Sequence, residues 1–233
     1  MVLESLIPVR LAEKRPVEML PLAFLYASLA IFVALWIFPN HASLTMVFFT
    51  VMALLPLMVS LMRFEEQSIF VRSKDADTDH KRAMPFFVWM FIGMVLAFSA
   101  WFIIFPQDMV SNLFSVQINT IQAINNNINQ VTANTVNAST YFLAVLLNNL
   151  KVLLFVLLFS FIYGAGAIFI LTWNASVVAV AIGNTARNLI SKYAATAQLT
   201  GAPAYFAGFS LGLMRYMIHG IPEIGAYFVG GLA

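Results

Sequence analysis

Long apolar runs, separated by short polar or proline-containing gaps, set the pattern of this chain. The first covers about Leu20–Phe38 and is entered through Pro16 and Pro21. Pro39-Asn40-His41 makes a tight turn, and a second run follows from about Ala42 to Met62 with Pro56 inside it. A third covers about Pro85–Phe105. These runs approach or exceed the ~20 residues that carry a helix across a bilayer. Membrane helices tolerate an internal proline better than soluble ones do. The runs are continuous rather than alternating, which argues against a β-barrel.

The second half is less regular. Residues 106–140 hold no Lys or Arg and a single acid, Asp108. There Phe114, Ile118, Ile121, Ile124, Ile128 and Val131 recur at spacings of three and four. Between them stand Gln117, Asn119, Gln122, Asn125, Asn126, Asn127, Asn129 and Gln130. The spacing predicts an external amphipathic helix with an uncharged polar face, which could cap the bundle, the first choice, or lie on the outer leaflet or pair with a partner. Asn137-Ala138-Ser139 is an N-glycosylation sequon in the same stretch. Tyr141–Trp173 is apolar apart from Asn148, Asn149 and Lys151, and its cleanest span is Val152–Trp173. Gly164 and Gly166 there allow close helix approach. That span leaves Lys151 at the outer boundary, able to snorkel to water. A span starting at Tyr141 buries it instead, with Glu223 as its candidate partner. Asn174–Ile190 reads as a full span or a re-entrant segment, and Ala202–Ala233 as one kinked span or a hairpin breaking at Gly220.

Composition agrees with the pattern. Of 233 residues, 61% are hydrophobic and 9% charged, with mean hydropathy +0.88; a soluble domain carries roughly 25% charged residues. The expected fold is all-α, a polytopic transmembrane helical bundle with five to seven membrane segments, at least one kinked or re-entrant. Arg63, Arg72, Lys74, Lys81 and Arg82 crowd the segment Arg63–Met84. The positive-inside rule makes that segment a solvated cytoplasmic loop, and Arg10, Lys14 and Arg15 put the N-terminus on the same side. The same counting draws Arg187 and Lys192 to the cytoplasm, which favours the re-entrant and hairpin version. Charges from Glu4 to Glu18 precede the first run and no cleavage site follows a short apolar core, so that span is expected to be retained.

Charge and cysteine content narrow the chemistry. The chain has no cysteine, which removes disulfides, thiolate metal sites and cysteine nucleophiles. A net charge of +2 without a long basic run gives no argument for nucleic acid. Asp75, Asp77 and Asp79 suggest a calcium loop, but that motif needs Gly at its sixth position and Glu at its twelfth. Here those positions hold His80 and Phe86.

The richest stretch is Arg215–Glu223, RYMIHGIPE. Arg215, His219 and Glu223 are spaced four apart, which places them on one face of a continuous helix. Gly220 and Pro222 interrupt that helix. Ionisable groups beside a helix break within a membrane segment mark a candidate site. The expected polar intramembrane cluster is Asn148, Asn149, Lys151, Arg215, His219, Gly220, Pro222 and Glu223. A zinc site needs three protein ligands and a water; His219 and Glu223 lack a third, and His41 and His80 fall in distant loops. No serine stands in a G-x-S-x-G elbow. The reading is a non-enzyme with no metal and no cofactor.

From about Pro85 onward the chain resembles the stage II sporulation protein M family of integral membrane proteins. The resemblance is carried by Asn148-Asn149 opening a long apolar helix, by Gly164 and Gly166, and by Asn174 just past that helix. It is carried most strongly by His219-Gly220-Ile221-Pro222-Glu223, followed by Gly225 and Gly230-Gly231. Family members usually have Gly where Ala175 stands, and a further helix after the histidine motif, whereas this sequence ends at Ala233. Residues 1–84 then form an N-terminal charged segment, hairpin and loop, and 85–233 the core with its Asn-rich segment 106–140. The resemblance implies a membrane scaffold or assembly subunit of an envelope-remodelling complex. Its partners would be the lipid bilayer, other membrane or envelope proteins and further copies of itself, in a multi-pass cell-membrane location. The alternative is a transporter or permease component with its polar site at the broken helix of Arg215, His219 and Glu223, where His219 could couple protons.

Overall fold

The computed structural model describes residues 15–72, 76–123, 165–195 and 201–214, with helical positions at 143, 146, 147, 150 and 154. The described residues are helical, with no strand. A 3-10 turn at Pro16–Glu18 leads into α1, Met19–Ile37. A second, Pro39–His41, leads into α2, Ala42–Arg72. Helix α3 is Ala76–Ile104 and α4 is the short Gln107–Leu113. Helix α5 is described over 115–123, α6 is Ala165–Ala195, and α7 is Ala202–Met214. Helices α1, α2, α3 and α6 are long and apolar enough to cross a membrane; α7 is shorter.

Two of these helices stop by the same device. Both α1 and α3 end in Ile-Phe followed by proline, at Pro39 and Pro106. A residue before proline is driven out of the helical region, and Phe38 accordingly sits at φ −128° and ψ 59°. The last amides close back into each helix, Phe38 N to Ala34 O at 2.9 Å and Phe105 N to Trp101 O at 3.0 Å.

Contacts fix the helix directions. Any side chain at Gly93 would collide with the Leu20 carbonyl and meet Ala23 at 3.0 Å. Further along, Trp101 Nε1 donates to Ser28 Oγ at 2.9 Å, and the Phe32 ring lies edge-on to Trp101 at 4.8 Å. Numbers rise together, so α1 and α3 run parallel. Helix α6 also runs parallel to α3: the Thr172 hydroxyl meets Met94 Sδ at 3.4 Å, and Gly183 lies against the Phe102 ring. Helix α2 returns antiparallel and packs across α1 and α6, leaving α3 as the central helix. Its buried faces carry Phe86, Met90, Met94, Phe98 and Phe102. Trp36, Phe48 and Met52 point outward, as in a bundle that meets lipid.

Helix α7 folds back on α6 after Gly201, whose φ of 66° is cheap for glycine. A Cβ at Gly208 would stand 2.9 Å from Ala186 O, and one at Gly212 2.9 Å from Ile182 O. Absent side chains let the two backbones approach, as small residues do in membrane helix pairs.

Three expectations change. Arg63–Met84 is mostly helix, because α2 continues to Arg72 and α3 starts at Ala76. Arg, Glu, Gln, Ala and Met are good helix formers, and a helix leaving the bilayer keeps its backbone bonds by continuing. Trp173 and Asn174 lie inside α6 rather than at a helix end, and α6 runs unbroken through Ile190. Asn174 satisfies its own amide by donating to Ile170 O at 2.9 Å, so it has no need to terminate the helix. Finally, α6 ends at the same end of the bundle as α3, away from the basic segment that charge counting assigns to Arg187 and Lys192.

Candidate functional site

Asn148, Asn149, Lys151, Arg215, His219, Gly220, Pro222 and Glu223 lie outside the described residues. The described chain supplies two other polar centres, both at or near the end where α1 and α3 terminate.

The first is buried and joins three helices. Ser43, at the start of α2, donates its hydroxyl to Gln117 Oε1 at 2.7 Å. Gln117 Nε2 lies 3.3 Å from Ser176 Oγ on α6 and 3.4 Å from the Ser43 carbonyl. Ser43 Oγ also accepts from Val116 N at 3.2 Å, and Ser176 donates back to Trp173 O at 2.7 Å. The Gln117 side chain is fully buried, at 0% exposure. In a membrane bundle such side-chain bonds hold helices together because lipid offers no substitute partner.

Gln117 corrects the expected uncharged polar face. With Phe114, Ile118 and Ile121 it occupies the i, i+3, i+4, i+7 positions of the inward face. The spacing that picks out the isoleucines therefore also picks out Gln117. Its polarity alone assigns it to the wrong side.

The second centre is Arg187. In a regular helix the Phe102 carbonyl takes an N–H from residue 106, but Pro106 has none. Arg187 Nε supplies that donor from α6, at 2.9 Å. Its Nη2 reaches the carbonyls of Ile103, at 3.5 Å, and Phe105, and its Nη1 donates to Gln107 Oε1 at 2.6 Å. The guanidinium also lies over the Phe102 ring, 5.4 Å from its centroid. A cation at the C-terminal end of α3 is favoured by the helix dipole. The clue in the sequence is a lone Arg one turn after Gly183, on the face that touches α3.

A third bond ties the same end together: Asn112 Nδ2 on α4 donates to Pro39 O at 2.7 Å. Among the described residues, no group of three His, Asp or Glu side chains could hold a metal. Every buried side-chain nitrogen or oxygen among them has a hydrogen-bond partner. No protein-family profile, curated protein or solved structure matches this chain.

Proposed function

We propose that this chain is a non-enzymatic membrane scaffold or assembly subunit of the kind the stage II sporulation protein M resemblance implies. The observation that carries this reading is how the described polar groups are used. Ser28, Ser43, Trp101, Asn112, Gln117, Ser176 and Arg187 all bond across to a neighbouring element. These groups fix the relative positions of helices and turns, which is what a docking platform requires.

In this reading the four long helices and α7 belong to a bundle of five to seven membrane segments, with the N-terminus and the 63–84 segment cytoplasmic. Partners are lipid, other envelope proteins and further copies of the chain. The leucines at 143, 146, 147, 150 and 154, helical and 41–57% exposed, offer an apolar face to any of them.

The test is in-membrane crosslinking followed by affinity purification in mild detergent and native mass spectrometry. A stoichiometric partner or a defined oligomer is the expected result. A lone monomer, together with proton-coupled flux in reconstituted vesicles, would replace this reading with the transporter one.

A further inference from the structure

Helix α6 carries a charge signal that disagrees with its position. Its C-terminal part holds Arg187 and Lys192, against the single Lys151 in the stretch before Ala165. Lys and Arg next to a span draw that end toward the cytoplasmic side. The chain's densest basic segment, Arg63 to Arg82, lies where α2 ends and α3 begins. Yet α6 runs parallel to α3 and brings Arg187 to α3's opposite end, against Phe102, Ile103 and Gln107. That end also carries the Pro39–His41 turn, through the bond from Asn112 to Pro39 O. The two basic groups therefore sit at opposite ends of one bundle.

We infer that the orientation of α6 is imposed by its seam with α3, against the orientation favoured by its own charges. Two features make the seam. Gly183 lets α6 approach until it touches the Phe102 ring. One turn later Arg187 finds the carbonyl that Pro106 deprives of its helical donor. The guanidinium thus has a ready set of acceptors only at this end of α3. Loosening the seam should release α6 toward the second orientation, making it a two-state element whose balance α3 sets.

The experiment uses single cysteines in the cysteine-free chain, at Asn40 and at Ser191, both exposed. A membrane-impermeant maleimide is applied to sealed vesicles of each sidedness. In the parent chain both positions should label from the same side; opposite sides would overturn the parallel placement of α6. Gly183→Leu is then added. Leucine makes α6 more apolar, so a helix that orients itself should be unaffected, whereas one held by α3 is pushed off Phe102. Labelling of the Ser191 cysteine should spread to both sides. Strictly one-sided labelling in Gly183→Leu would refute the dependence on α3. Replacing Lys192 alone with Leu in the same chain weakens the opposing signal while leaving Arg187 and its carbonyl partners in place, and should return labelling toward one side. Persistent two-sided labelling there would mean general misfolding, and the charge conflict would be abandoned.

Discussion

Arg187 Nε donates to the Phe102 carbonyl at 2.9 Å, and Phe102 is the residue whose helical donor Pro106 removes. The proline that ends α3 leaves an acceptor open, and a side chain from another helix fills it. Losing the Arg187 contacts should cost about 1.5–3 kcal/mol, the range for hydrogen bonds involving charged groups. Arg187→Ala should lower thermal stability in detergent, and Arg187→Lys should recover little of it, since one ammonium cannot reproduce the fork that spans Phe102, Ile103 and Gln107. In a Pro106→Ala background the loss should shrink, because alanine at that position supplies the missing N–H. A double-mutant cycle that is strictly additive would disprove this coupling.

The Gln117 joint makes a second prediction. Gln117→Leu keeps most of the volume but leaves the Ser43 hydroxyl without its acceptor, so it should destabilise the bundle. Bonds of this kind in membrane bundles average about 0.6 kcal/mol, with a maximum near 1.7. Combining it with Ser43→Ala should recover only part of the loss, because it removes the stranded hydroxyl but takes from Val116 N the Ser43 Oγ to which it donates. Unfolding in denaturant and detergent distinguishes the cases; a double variant no better than Gln117→Leu would contradict the joint.

Close approach of backbones gives a third. Gly93→Ala forces a methyl group onto the Leu20 carbonyl, which belongs to helix α1 and cannot rotate away. Overpacking of this kind costs typically ~1–3 kcal/mol. Gly212→Ala, with its Cβ at 2.9 Å from Ile182 O, should be milder. Melting temperatures in the reverse order would show that the α1–α3 seam is looser than described.

The fourth concerns the sequence-derived cluster. Glu223 stands in an apolar segment with His219 and Arg215 near it in sequence, whereas Glu18 pairs with the exposed Arg15 at 3.4 Å. Surface pairs contribute little, and removing one partner of a buried pair costs far more. On the reading that Glu223 is one of an intramembrane pair, Glu223→Gln should lower detergent stability more than Glu18→Gln. Equal melting temperatures would remove the case for a paired intramembrane site.

Hydrophobic run length located three of the four helices that are long and apolar enough to cross a membrane. It placed them within a residue or two at Leu20, Phe38, Ala42 and Phe105, because a bilayer demands a fixed apolar length and proline marks the ends. It failed where the pattern is carried by contacts between distant segments. Gln117 looks solvent-facing in the sequence because local polarity does not reveal a buried partner such as Ser43. Asn174 looks like a boundary, yet it bonds within its own helix to Ile170. Charge counting draws Arg187 toward the basic segment, and only the packing of α6 on α3 discloses the carbonyl left free by Pro106. Sequence sets which segments must leave water. Which helix lies beside which, and in what direction, is decided by the glycines that let backbones close up and by the few polar groups that must find partners once lipid has replaced water.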